Sequence, residues 1–476
     1  MSAFIALVCY FSLLCAISVF SSRRQLSASD FIMGSRSLNY WLTALAAHAS
    51  DMSSWLFTAY PAMILLHGLC GGWTALGLLF FMFLNWQWIA GKIRLMTGRY
   101  NSLTLSAFFE SRFQDTTGRI RLFTALMSLF FYTIYVSAGL LVLGLLLHTL
   151  FGLPYLAGIG IGVLFILPYL LKGGYITLAW IDLFQGLFLM AVIIAVPLSL
   201  LSKVGGWGGI REAAAFQELS LSLFPDFSVQ TVVQIAGWAL GWGLGYFGQP
   251  HILTKFMGIR DAAEIPKSKY IGMSWMLLSL GAATLVGLVG LAYFRSGLSN
   301  PEEVFIGMVK ESFPGFLGSF ILCSVVATTL NAISGQVLVL SSSLTEDFYR
   351  TFFRKEASSK ELLRVTRAGI LAILLIASGI AAFKPTSINT LVFYAWSGLG
   401  SSFGPLMILS LYSTRINKYG AWGGILGGGA ISAFWPWVNA HLSFAIPAMI
   451  PGFLFGLASI VVLSKITAKQ GALIRE

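Results

Sequence analysis

At thirteen places the chain runs for about a membrane's thickness with almost no charge: residues 2–22, 40–65, 68–91, 121–150, 154–171, 177–202, 229–254, 271–294, 313–345, 366–383, 387–412, 419–437 and 443–465. About 20 apolar residues span a bilayer core as a helix. Lipid offers no hydrogen-bond partner, so each stretch must satisfy its backbone internally, which makes it helical. The pattern predicts an all-α integral membrane protein. Composition agrees: 57% of residues are hydrophobic and 10% charged, against about 25% charged in soluble domains. The longest polar connections, about 92–120, 203–228, 255–270 and 346–365, are too short for a core of their own. A single membrane domain over 1–476 is therefore expected.

A net charge of +12 would suit a nucleic-acid binder, but its distribution excludes one. With thirteen helices, an N-terminus outside and a C-terminus inside, only Lys203, Arg211, Arg295, Lys310 and Lys384 of the 30 basic residues fall in outer loops. The rest, from Arg23 and Arg24 to Lys469 and Arg475, lie inside, as the positive-inside rule requires. No segment is long or polar enough to carry a basic binding face, so the bilayer is the partner and nucleic acid is not. A multi-pass protein of the cell (inner) membrane is expected; nothing in the sequence sets its oligomeric state. Met1-Ser2-Ala3 has no positive n-region and no small-residue cleavage site precedes Arg23-Arg24, so the first segment reads as a retained helix. Cys9, Cys15, Cys70 and Cys323 lie in apolar stretches without metal or disulfide spacing and read as core residues.

Two segments are interrupted, at Ala47-His48-Ala49-Ser50-Asp51-Met52-Ser53-Ser54-Trp55 and at Gly241 to Pro250. A carboxylate and a glycine run are both unfavourable against lipid and survive where they line a watery cavity. Paired broken helices in two halves of a chain point to a substrate and ion site at the midplane of a transporter. The breaks fall in the second and seventh segments, giving five helices within 39–202 and five within 229–412, after an extra N-terminal helix and loop at 2–38 and before two C-terminal helices and a tail at 413–476. Five is odd, so the halves lie in opposite orientations, an inverted repeat. Pro154, Pro301, Pro314 and Pro385 stand near helix starts, while Pro61, Pro168, Pro197, Pro250 and Pro405 fall inside or near the ends of apolar segments, where each removes a backbone donor. Gly423-Gly424 and Gly427-Gly428-Gly429 read as close-packing surfaces.

Asp51 and Asp182 are the acids set within apolar segments. For Asp51 three readings stand: a cap on the broken half-helix, attraction of a cation, and direct ligation. Asp182 is a candidate for an ion path, or else pairs with Lys172 near the inner surface. Gly243 to Gly248 matches GxGxxG formally, but no strand or βαβ unit surrounds it, so it is no dinucleotide site. Here glycines expose backbone to a ligand while Trp242 and Tyr246 offer apolar faces with polar tips. That chemistry suits a small zwitterion.

Ala49-Ser50-Asp51-Met52-Ser53, Gly241 through His251, Ser341-Ser342-Ser343-Leu344-Thr345-Glu346-Asp347 and Tyr394-Ala395-Trp396 resemble the sodium-solute symporter family, and within it the sodium/proline symporters. The resemblance extends to Gly34-Ser35-Arg36-Ser37-Leu38 and Ile450-Pro451-Gly452-Phe453. It implies a LeuT-type five-plus-five inverted repeat and uptake of proline or a similar small amino acid, driven by a cation gradient, with no cofactor beyond Na+ or H+ as coupling ion. It places substrate contacts at Trp55, Tyr135, Trp242, Tyr246 and Pro250, and a Na+ site on the carbonyls of Ala49, Met52 and Thr328 with two adjacent hydroxyl positions. Those two positions are Asn331 and Ala332 here. Asn331 keeps an amide oxygen; Ala332 offers none, and the Thr328 hydroxyl lies on the same helical face.

His48 stands where the family usually has glycine, which sets proton coupling through His48 or Asp51 beside a histidine that fills space. Sodium coupling leads by the resemblance. Ser54 and Ala59 also replace usual glycines, making the substrate pocket smaller or more polar; another small neutral amino acid or a carboxylate is the alternative substrate. Rival classes fit less well. His48, His67, His148, His251 and His441 have no metal or acid-partner spacing and no nucleophile motif appears, against an enzyme. A transporter-like sensor would add a soluble output domain, and a channel would not need paired broken helices.

Overall fold

The computed structural model describes residues 2–21, 27–383, 388–442 and 444–468. Arg23, Arg24, Lys384, Pro385, Lys469 and Arg475 lie outside the described residues. The chain opens with α1 (Ser2–Ser21) and a short α2 (Ala28–Met33), then α3 (Tyr40–Met52) and α4 (Ala59–His67). Next come α5 (Trp73–Leu84), α6 (Gly91–Arg99), α7 (Leu105–Arg112), α8 (Arg119–Phe151), α9 (Tyr155–Leu201) and α10 (Gly206–Phe216). The second half runs α11 (Val229–Gly243), α12 (Pro250–Met257), α13 (Ile265–Tyr293), α14 (Val304–Ser312), α15 (Gly315–Ser343), α16 (Ser359–Ala382) and α17 (Ile388–Tyr412). The chain closes with α18 (Lys418–Asn439) and α19 (Met449–Ile466).

Nine helices among the described residues are long and apolar enough to cross a membrane. The four other expected segments have a visible reason for falling short. Segment 40–65 is split into α3 and α4, and 229–254 into α11 and α12. Segment 154–171 is the first part of α9, whose 47 residues bend at Gly174, where φ is 57° and ψ −159°. Segment 419–437 falls on the glycine-rich α18.

Those glycines let α17, α18 and α19 approach at backbone distance. A Cβ at Gly428 would stand 2.2 Å from the Ser401 carbonyl oxygen, and one at Gly424 would stand 2.3 Å from the Ile460 side chain. Pro154 and Pro314 occupy N-cap positions, while Pro301 and Pro250 open their helices, where a missing N–H costs nothing.

Charge sorts by end. At one end Arg36 donates to the carbonyls of Thr97 and Ser102, Arg94 to Ile259, and Arg112 to Ser410. Arg121 there pairs with both Glu110 and the fully buried Asp347. At the opposite end Arg295 pairs with Glu212 and Lys310 donates to Thr149. Between the two ends lie the broken helices. A Cβ at Gly248, within the second break, would stand 2.6 Å from the Gly404 nitrogen and 2.8 Å from the Gly400 oxygen. Neither backbone can retreat as a flexible side chain would, so Gly248→Ala is expected to cost about 1–3 kcal/mol. Its thermal unfolding midpoint in detergent should fall below wild type.

Candidate functional site

The first break begins with a helix that is well started and abruptly stopped. Asn39 caps α3 by accepting from the Leu42 amide at 2.9 Å. After Met52 the chain turns at Ser53, whose φ of 38° is rare for a residue with a Cβ. The Ser53 hydroxyl accepts from the Trp55 amide, a short 3-10 turn follows at Ser54–Leu56, and α4 starts at Ala59. The cap on this turn is thus Ser53. Asp51, for which a capping role was one expectation, sits instead in the last turn of α3. It accepts a 2.7 Å hydrogen bond from the Tyr246 hydroxyl and lies 3.7 Å from His251 Nε2. A carboxylate at a helix C-terminus adds to the negative pole there, and that combination favours a cation.

In the second break, α11 ends at Gly243, Leu244–Gly248 forms a 3-10 turn, Gln249 is extended and Pro250 opens α12. Its freed backbone groups find side chains. Trp396 Nε1 donates to the Trp242 carbonyl at 2.9 Å and Asn85 Nδ2 to the Tyr246 carbonyl at 3.1 Å, while the break's own Gln249 Nε2 donates back to the Trp396 carbonyl of α17 at 3.0 Å. The Tyr132 hydroxyl accepts from the His251 amide at 2.9 Å. Asn85 and Trp86 reach the breaks from a π-helical turn at Asn85–Ala90, a geometry common at functional sites.

The two breaks share one small cavity. Asp51, Met52, Ser53, Trp55, Tyr135, Trp242, Tyr246 and Trp396 line it. Its rings form a box: Trp55 and Trp242 are 5.4 Å apart by centroid, Trp242 and Trp396 6.1 Å, and Tyr246 meets Trp396 edge-on at 5.4 Å. Ser54 and Ala59 line an adjoining cavity that shares Ser53, Trp55 and Tyr135 and adds Ala332, Gln336 and Glu302. Glu302 lies outside the spans, and burial lifts its carboxyl above the ordinary range. Pro250 stands apart. It lines a third cavity with Thr104, Ser342, Ser343 and Asp347, toward the end where arginines gather.

The residues expected to hold the cation are all buried. Ala49 packs toward Gly186 of α9, where a Cβ would stand 3.0 Å away, and Met52 ends α3. Thr328 gives its hydroxyl proton to Val325 of its own helix, while both amide atoms of Asn331 are buried without a hydrogen bond. Ala332 lines the adjoining cavity. His48 occupies an aromatic slot: its Nε2 accepts from Trp86 Nε1 at 3.1 Å, Trp275 packs beside it, and a Cβ at Gly272 would meet it at 2.4 Å. The ring there packs against α13 and the π-helical turn. Asp182 does not pair with Lys172, the alternative the sequence raised; it accepts from Lys255 Nζ at 2.8 Å in a fully buried pair.

Sequence reasoning passed over four residues that the geometry brings forward: Tyr132, His251, Lys255 and Trp396. His251 follows Pro250 and Trp396 stands in a quoted motif, but periodicity cannot say which face of a helix meets which neighbour. Lys255 carried the only direct signal, a basic residue six positions into an apolar half-helix.

The family model for the sodium:solute symporter family matches residues 31–428. This chain belongs to that family. The symporter is 38% identical over 456 residues to the high-affinity proline transporter PutP of Bacillus subtilis, covering 95% of each chain. It is 33% identical to the sodium/proline symporter of Staphylococcus aureus, covering 99% of this chain and 94% of that one. Among solved structures, a Na+-coupled sialic acid symporter superposes with a TM-score of 0.83 at 18% identity, over 100% of this chain and 99% of that one. MhsT, solved with L-phenylalanine, gives 0.58 at 13% identity, over 90% and 98%. These structures show the fold, that of the LeuT-type transporters. Membership makes the chain a multi-pass membrane symporter and not an enzyme. In this symporter Trp396 ties the second break from both sides. Trp396→Phe removes the side-chain donor to the Trp242 carbonyl, at about 0.5–1.5 kcal/mol, and is expected to lower both the thermal midpoint and the transport rate.

Proposed function

We propose that this symporter imports proline or a similar small amino acid together with sodium. The supporting observation is the aromatic box, framed by both broken helices, with Asp51 at its edge beside the C-terminal pole of α3. Aromatic faces cover the aliphatic body and the ammonium of a zwitterion. The carbonyl pole and Asp51 draw a hard cation to the same place. The two proline-transporting relatives cover nearly the whole chain, which favours proline as substrate. Trp55, Tyr135, Trp242 and Tyr246 contact it in this reading, with Ser54 and Ala59 trimming the adjoining space. Pro250 acts at one remove, by starting α12.

Ala49, Met52, Thr328 and Asn331 hold the cation, and the orphaned amide of Asn331 suits an oxygen ligand to sodium. Proton coupling is the second reading, favoured by Ala332, which brings no oxygen. His48 does not support it, since its ring is engaged with Trp86. The architecture in this reading is thirteen transmembrane helices with the N-terminus outside, the C-terminus inside, and inverted repeats over 39–202 and 229–412. The gathering of arginines at one end supports that orientation.

Uptake of radiolabelled proline into proteoliposomes, under separate sodium and proton gradients and with a panel of competing amino acids, tests the reading. Sodium-driven uptake competed by proline is expected; uptake indifferent to sodium, or no competition by proline, overturns it. Trp242→Ala should raise the half-saturating proline concentration by roughly tenfold or more, since central aromatic anchors are worth about 2 kcal/mol. Restoring hydroxyls with Asn331→Ser and Ala332→Ser should lower the sodium concentration for half-maximal uptake.

A further inference from the structure

The interior at the breaks contains two carboxylates that meet different partners. Asp51 receives the Tyr246 hydroxyl and faces His251; among the described residues no lysine or arginine pairs with it. Asp182, on α9, receives a full ammonium. Lys255 Nζ of α12 lies 2.8 Å from its Oδ2, with both side chains almost entirely out of solvent. The ammonium also lies 5.2 Å from the centroid of the Tyr175 ring, and the Tyr175 hydroxyl is fixed by donating to the Thr254 carbonyl at 2.8 Å. An aromatic face and a carboxylate are together a cation's coordination, already filled by the protein.

What lies beside this pair is the weakened ion site. The Asn331 amide of α15 faces the Asp182 carboxylate, though neither of its polar atoms reaches hydrogen-bond geometry. The next residue, Ala332, offers no ligand. Asp182, Lys255 and Asn331 thus come from three helices, α9, α12 and α15, converging where the chain has fewer oxygens than its family pattern. Two like charges a few ångströms apart in a poorly solvated interior repel strongly, so a mobile cation cannot share Asp182 with the ammonium.

We propose that Lys255 is a resident counter-cation: its ammonium closes, at Asp182, a place that a mobile monovalent cation would otherwise take, leaving the positions at Ala49, Met52, Thr328 and Asn331 for the coupling ion. This rests on the sodium-coupled reading above. Lys255 acts through Asp182 and is a positioning residue. The consequence is specific, because removing the lysine creates a cation site rather than only damaging one.

The test is the sodium dependence of proline uptake by the full-length protein in proteoliposomes, with choline replacing sodium. Wild type and Lys255→Arg are expected to give a Hill coefficient of about one, and Lys255→Ala a steeper curve tending toward two, the number of sites then available. Lys255→Ala combined with Asp182→Asn should return the coefficient to about one. An unchanged coefficient in Lys255→Ala, whatever its maximal rate, overturns the proposal.

Should Lys255→Ala fold without transporting, sodium-dependent thermal stabilisation of the purified protein without proline reports the same site. A sodium-induced shift in midpoint larger than that of wild type supports the proposal, and an equal or smaller one overturns it. Wild-type uptake that ignores sodium would remove the coupling reading, while the thermal shift of Lys255→Ala would still decide the role of Lys255.

Discussion

A backbone group freed inside a membrane has no water to turn to, and the rest of this molecule is arranged around satisfying the groups that two broken helices release. The second break depends on its neighbours for this. Trp396 holds the carbonyl of Trp242, Asn85 that of Tyr246, and Tyr132 the amide of His251. Each donor or acceptor comes from a different helix, α17, the π-helical turn after α5, and α8, so the break also ties the bundle together. Of these side chains, Trp396 also walls the aromatic cavity. The packing of the break and the wall of the cavity therefore meet at Trp396.

Electrostatics then separates two acids that look equivalent in the sequence. Asp51 is placed at the C-terminal pole of α3, a position that raises negative potential, and is met by a tyrosine hydroxyl and a histidine edge. Asp182 is neutralised by an internal lysine. Breaking such a buried pair by removing one partner is costly, which fixes α9 against α12. In the proposed symport, the difference between the two acids leaves the negative potential that draws a mobile cation at the end of α3, beside Met52.

Much of this was legible beforehand, and the limits have physical causes. Apolar runs of membrane length gave the helices, and Gly-rich or charged interruptions gave both breaks, because lipid tolerates neither without a reason. Trp55, Tyr135, Trp242 and Tyr246 were expected together and do line one cavity. Pro250 was grouped with them, but it opens α12 and lines a third cavity with Thr104, Ser342, Ser343 and Asp347. Asp51 could not be assigned to a helix end without knowing that α3 runs to Met52. Lys172 stood as the alternative partner of Asp182, and Lys255 went unseen, because depth in the membrane is readable from sequence and rotation about a helix axis is not. His48 stood equally open, and only the ring of Trp86 and the glycine at 272 show what its side chain fills.

In the proposed symport, sodium and substrate bind at neighbouring places that meet at Met52, and whatever factor one applies to the affinity of the other is returned. Calorimetric titration of proline into the purified symporter, in sodium and in choline at equal ionic strength, measures this directly. Binding at least about tenfold tighter in sodium, a coupling of roughly 1.4 kcal/mol, is the expected result. Equal affinity in the two salts would contradict the account.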